Sequence, residues 1–231
     1  MVAPLAVLGL LWGGAAQADP ASGLRSTGEG AGISARVCVN LAVRATTRRV
    51  VVETFKEEIA RIWRLNGVEV VCARAQNHEV CPEAVSRTLV LWILDSEADL
   101  PPGITVSGTP LGATLAMQGA LRDLMFVFVT RVEQWVSGHH LGPSALVPVR
   151  FSTLLARVAA HEMGHALLRS AAHSDRGLMR ARFDTADLRL TESNGFLLNR
   201  GERLSLQSLT ATAVATAGQS RAAAQDPLPR R

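Results

Sequence analysis

The chain has no tyrosine, so nothing in it can use a phenol as proton donor, metal ligand or oxyanion stabiliser. Lysine is nearly missing as well. Lys56 stands alone, and the net charge of +4 is carried by arginine. The arginines are scattered, without aromatic interleaving and without a long basic block, which argues against specific nucleic-acid binding. The three cysteines, Cys38, Cys72 and Cys81, include no C-x-x-C pair, which disfavours a zinc–thiolate cluster. The apolar run from Val2 to Trp12 is too short to cross a bilayer, which takes roughly 20 residues. With 48% apolar and 19% charged residues, the chain is neither disordered throughout nor a bundle of membrane spans. Its 231 residues suit one domain with a short appendage.

What is present begins with a leader pattern. The apolar run is followed by Gly13, Gly14, Ala15 and Ala16, and then by Ala16-Gln17-Ala18 before Asp19, the small-x-small pattern of a signal peptidase site. No Lys or Arg precedes the run, and a short uncleaved anchor or a buried helix is the alternative reading. The expected organisation is a signal peptide over 1–18, a flexible Gly/Ser/Ala-rich stretch over 19–34, one domain over 35–209 and a disordered tail over 210–231. Such a chain is secreted or periplasmic, with no transmembrane segment after cleavage. In an exported protein Cys72 and Cys81 could close a small loop around His78 and Pro82. Three small buried hydrophobes are the alternative, and the connectivity stays open.

Periodicity supplies the elements. Ala35, Val37, Val39, Leu41 and Val43 alternate as in a half-buried strand. A helix capped by Thr46 or Thr47 runs to about Asn66, with Val51, Phe55, Ile59, Ile62 and Trp63 at helical spacing and Gly67 as its stop. Val68–Ala73 and Thr88–Leu94 read as nearly continuous apolar strands. Asp95–Pro110, with three prolines and two glycines, reads as a loop. Leu111–Met117 reads as a short edge strand and Leu124–Val129 as another strand. A helical stretch from Thr130 breaks at Ser137-Gly138. Phe151–Ala171 is the strongest helix, and Asp184 can cap another through Leu198. The pattern is that of one mixed domain, α/β or α+β.

The chemistry is concentrated in His161-Glu162-Met163-Gly164-His165. Histidines four apart lie on one helical face, about one 5.4 Å turn from each other, so both imidazoles can reach one metal ion. Glu162 can address water at an open coordination position without binding the metal. Leu154, Leu155, Val158, Ala159, Ala166, Leu167 and Leu168 make this helix apolar nearly all round, as a buried helix is. Buried imidazoles and a buried carboxyl are costly unless paired or bound to something. A third ligand is needed. His173 is the nearest histidine, Asp175 lies in the same loop, and Glu192 on the following helix would give a His-His-Glu site. His78, His139 and His140 read as loop residues.

The segment resembles the metzincin zinc peptidases, whose pattern is H-E-x-x-H-x-x-G-x-x-H followed by a methionine turn. It is more similar still to a group of predicted secreted bacterial zincin-like proteins. In that group A-H-E-x-G-H-x-L-L, H-S-x-x-G and a Met-Arg pair recur; here they are Ala160 to Leu168, His173-Ser174, Gly177 and Met179-Arg180. The resemblance implies an α+β, zincin-like fold: a mixed twisted sheet, an active-site helix carrying the motif and a small helical C-terminal part. It implies zinc held by His161, His165 and His173, Glu162 as general base, and Met179 in the turn. It also implies an edge strand, for which Leu111–Met117 is the candidate, where an extended substrate adds to the sheet. Two features depart from the metzincin pattern: the third histidine comes two residues late, and Leu168 stands where that pattern has the helix-ending glycine. Without tyrosine, the subtype with a tyrosine ligand is excluded.

The expected activity is therefore zinc-dependent hydrolysis of a peptide or protein substrate by activated water, with Glu162 shuttling the proton. The alternatives are a secreted non-catalytic zinc-binding module and a basic envelope-associated protein binding acidic polymers. Substrate preference and oligomeric state are not encoded legibly.

Overall fold

The computed structural model describes residues 5–9, 35–43, 49–74, 77–139, 147–184 and 193–208. In chain order the elements are β1 Leu5–Gly9, β2 Ala35–Val43, α1 Arg49–Leu65, β3 Val68–Arg74, β4 Arg87–Leu94, β5 Ile104–Val106, β6 Gly112–Met117 and β7 Ala120–Phe128. Then come α2 Val129–Gly138, α3 Val147–Leu168 and α4 over 200–208. The architecture is α+β with one mixed sheet, in the order β3-β2-β4-β7-β6-β1-β5. The pairs β3–β2, β2–β4 and β4–β7 are parallel, whereas β7–β6 and β6–β1 are antiparallel.

Alternation decides which residues meet the helices. Val37, Val39, Leu41 and Val43 of β2, Leu89, Leu91 and Ile93 of β4, and Met125 and Val127 of β7 join one core with α1 and α3. Their neighbours Leu94, Phe126 and Phe128, with Ala113 and Leu115 of β6, form a second, smaller core. Amphipathic α1 buries Phe55, Ile59, Ile62 and Trp63 as its spacing predicts, with Val52 joining them; the side chain of Val51, expected on this face, lies outside the described residues. Between Phe151 and Leu167, α3 has only one residue, Thr153, that is not buried. Its all-round apolar character follows from being sandwiched by α1, α2 and the β6–β7 side of the sheet.

Several expectations are corrected. Leu111–Met117 is not a sheet edge, because β1, inside the expected leader, pairs along its outer side. The expected loop 95–110 contains a 3-10 turn at Glu97–Asp99 and the short strand β5. The helix expected from Asp184 to Leu198 appears, in its described part, only as a 3-10 turn at Ser193–Phe196; residues 185–192 lie outside the described residues. The helix that does form is α4. Asn199 accepts from Glu202 N at 2.9 Å and Glu202 Oε2 accepts from Asn199 N at 2.7 Å, a reciprocal cap with an Asn-x-x-Glu signature. The leader cleavage site, the whole 19–34 stretch and the tail over 210–231 also lie outside the described residues.

The cysteines pair differently from the small-loop possibility: Cys38 is bonded to Cys81, and Cys72 is free. Strand alternation explains the choice. Cys72 sits opposite Val39 in the parallel β2–β3 ladder and packs toward the helical core, where burial pushes its thiol up to about 12. Cys38 belongs to the alternate face.

One buried ion pair was not foreseen. Arg157 on α3, 1% exposed, donates to Glu58 Oε1 on α1 at 3.1 Å, and Arg61 donates to the other oxygen at 2.8 Å. The Arg157 guanidinium also lies 4.6 Å above the Phe196 ring. Removing one member strands a buried charge, which typically costs about 3–5 kcal/mol, whereas a fitted apolar pair in its place is near neutral. Glu58→Ala is expected to lower stability to chemical denaturation by that order. The double variant Glu58→Leu/Arg157→Met is expected to recover most of it; equal losses in both would contradict the account.

Candidate metal centre

His161 and His165 lie on consecutive turns of α3, both buried. His173 reaches them from the loop after the helix, and α3 ends without the glycine the metzincin pattern has. Arg169 takes the left-handed conformation instead, at φ 52°, and Ser170 N donates back to the His165 carbonyl at 3.3 Å. That is the 6→1 bond of a Schellman ending, with arginine where glycine is usual. The Arg169 guanidinium is tied to β7, to the Leu121 carbonyl and, at 3.2 Å, to Asp123. These bonds offset a strain of about 1 kcal/mol or more for a non-glycine residue at positive φ.

The following loop closes upon itself. Ser174 N donates to the Met179 carbonyl at 2.8 Å, and the Ser174 hydroxyl donates to the Arg176 carbonyl at 2.8 Å. Gly177 has φ 83°, and a Cβ there would collide with the Leu197 carbonyl. Met179 is buried under α3 so tightly that a Cβ at Gly164 would overlap its sulfur. The two glycines are thus required by close approach on both sides of the turn.

This folding brings three Nε2 atoms together. His165 Nε2 is 3.0 Å from His161 Nε2 and 3.2 Å from His173 Nε2. The His161 and His173 rings are near parallel at 14°, and His165 stands across both at 84° and 89°. His161 Nδ1 donates to the Leu178 carbonyl at 2.8 Å and His165 Nδ1 to the Ser170 carbonyl at 2.7 Å. A carbonyl only accepts, so each Nδ1 carries the proton and each Nε2 of a neutral ring presents a lone pair. Burial favours the neutral imidazoles: it drives His161 well below its ordinary value, takes His165 down to about 4 and lowers the more exposed His173. Facing lone pairs at this separation repel unless a cation lies among them. Tetrahedral ligation at 2.0–2.1 Å asks for nitrogens about 3.3 Å apart, close to the 3.0 and 3.2 Å that separate His165 Nε2 from its two neighbours. The three histidines can hold a metal ion.

Compared with protein-family models, curated proteins and solved structures, the chain matches none. The centre must be understood from its own residues.

Glu162 has no exposed surface. Its Oε2 accepts from the Thr114 hydroxyl of β6 at 2.7 Å, while Oε1 is buried without a hydrogen-bond partner. Burial raises this carboxyl to about 8, with the Thr114 bond acting in the opposite direction. Gly112 makes room for it: a Cβ there would lie 2.7 Å from Val158 and 3.1 Å from Glu162 Cγ. On the solvent side, a cleft of about 310 Å3 opens at His173, lined by Leu168, Ser170, Ser174, Asn199, Glu202 and neighbours.

Of the alternative third ligands, Asp175 is exposed and outside the cluster, and Glu192 lies outside the described residues. His139 stacks on Trp135, His78 is an exposed turn residue, and His140 is outside the described residues. Sequence reasoning missed Thr114 and the carbonyls of Leu178 and Ser170, none of which carries a motif signal.

The lowered imidazoles set a proton count. At pH 5.5, three ordinary histidines would be mostly protonated and release nearly three protons on metal binding. His161 and His165, held neutral by burial, have little to release, which leaves His173 as the main source. In a Glu162→Gln chain, which removes the carboxyl's own proton from the count, zinc binding at pH 5.5 is expected to release about one proton or fewer. Calorimetry in buffers of different ionisation enthalpy measures this, and a release of two or more would contradict neutral, preorganised rings.

Proposed function

We propose that this chain is a zinc-dependent metallopeptidase of the zincin kind, acting outside the cytoplasm. The observation that carries the reading is the cluster of facing Nε2 atoms, two of them fixed as lone-pair donors by main-chain carbonyls. Three imidazoles leave one position of a tetrahedral site open, the arrangement of catalytic rather than structural zinc. Zinc held there would polarise a substrate carbonyl and make bound water acidic enough to lose a proton near neutral pH.

The chain's own residues supply the rest. Leu178 and Ser170 orient the ligand rings, and Met179 packs beneath the helix that carries two of them. Glu162, adjacent to His161 on α3, takes the proton from water at its free Oε1 and returns it to the leaving amine, while Thr114 steadies Oε2. A carboxyl raised to about 8 by burial is suited to holding a proton between those two steps. The cleft at His173 gives a polypeptide access from solvent. Among the described residues no helix is long and apolar enough to cross a membrane; the exported location rests on the leader pattern alone.

A second reading, a non-catalytic module in which zinc ties α3 to the 173–180 loop, is favoured by the full enclosure of Glu162. The two are separated by one set of variants. The purified chain is expected to carry one zinc per molecule, lost in His161→Ala and in His173→Ala. Glu162→Gln should keep the zinc and lose peptide hydrolysis by 100-fold or more. Undiminished hydrolysis in Glu162→Gln rejects the base; stoichiometric zinc without hydrolysis of any peptide pool in the parent chain favours the module.

A further inference from the structure

The strand β1 occupies an unusual place. It is not the outermost strand but lies between β6 and β5, with Val7, Leu8 and Gly9 opposite Leu115, Thr114 and Ala113, and Leu5, Ala6 and Val7 opposite Ile104, Thr105 and Val106. Among the described residues β5 has no other strand partner, and its further hold on the sheet is the packing of Ile104 and Val106 on the smaller core. Yet β1 comes from the part of the sequence that reads as a removable leader, and residues 10–34, which separate it from β2, are rich in Gly, Ala and Ser. Subtracting it leaves two facing strand edges about two strand spacings apart, roughly 9.6 Å, which is room for one extended chain. The β6 edge then presents unpaired N–H and C=O groups, a template for strand addition.

The slot has a defined chemistry. Ala113 and Leu115 of β6 belong to the smaller apolar core, and Ile104 and Val106 of β5 pack against it, so one face of a seated strand meets apolar side chains. On the other face of β6, Thr114 reaches Glu162. A strand in the slot therefore runs beside the residue that holds the Glu162 carboxyl, with its own residue paired at Thr114.

We propose that the space between β6 and β5 is a strand-exchange site, filled internally by Leu5–Gly9 and, once that segment leaves, by an extended apolar stretch of polypeptide antiparallel to β6. The leader-derived strand thus acts as an internal competitor for the position. That the incoming polypeptide is the substrate rests on the hydrolase reading; the exchange itself does not.

The test uses the full-length chain carrying Glu162→Gln, so that nothing bound is cleaved. Val7→Pro removes an N–H from the centre of the β1 ladder and weakens the internal occupant. The probe is a fluorescent synthetic peptide corresponding to residues 3–11, with the same peptide bearing proline at the Val7 position as control. The Val7→Pro chain is expected to bind the probe at least tenfold more tightly than the chain with intact Val7, and to ignore the control. Amide exchange at 113–115 should be fast in Val7→Pro and slow again with probe. A folded Val7→Pro chain that does not bind the probe overturns the proposal. So does a Val7→Pro chain that fails to fold and is not rescued by the probe, since β1 would then be a permanent member of the sheet; rescue supports exchange. Binding that persists after zinc is chelated separates this result from the fate of the hydrolase reading.

Discussion

Two main-chain carbonyls govern the site. By accepting from Nδ1 of His161 and His165, Leu178 and Ser170 leave the opposite nitrogens as lone-pair donors aimed at a common point. In water such rings would rotate or protonate; here burial prevents both, because an imidazolium would be stranded without a counter-charge among the described neighbours. The arrangement is a standing repulsion that one divalent cation converts into attraction. Everything nearby serves to hold it. Arg169 ends the helix so that Ser170 turns back, Ser174 and Gly177 close the loop that presents His173 and Leu178, and Met179 clamps the loop beneath Gly164.

The same economy of space explains the sheet side. Gly112 lets α3 approach β6 closely enough for Thr114 to reach the Glu162 carboxyl. A larger residue at 112 would push the helix off the strand and break that contact. The centre is thus assembled from three directions, namely the helix, the loop after it and strand β6, and each depends on a residue with little or no side chain at the point of contact. The second apolar core beyond the sheet anchors β6 from behind. The Glu58–Arg157 pair locks α3 to α1.

Much of this was legible in the chain. Periods of two and 3.6 located the strands of the parallel half and the two long helices to within a few residues, because those segments are buried on fixed faces. What failed were short or weakly periodic pieces. β5 has three residues among prolines and glycines, and no pattern distinguishes it from a loop. α4 announces itself only through the Asn199–Glu202 cap, a two-residue signal with no strong apolar period behind it. The cysteine pairing turned on which face of β2 and β3 each residue occupies, not on its distance along the chain.

For the centre the division is sharper. Spacing by itself determined that His161 and His165 share a helical face, since four residues make about one turn whatever the surroundings. It also put Glu162 beside them, whereas the turn at Met179 was only what the family resemblance implied. Only the tertiary structure decided that His173 rather than Asp175 joins them, that an arginine could end the helix in place of glycine, and that Thr114, nearly fifty residues upstream, holds the carboxyl. Those outcomes depend on distances between segments remote in sequence, and no local pattern carries them.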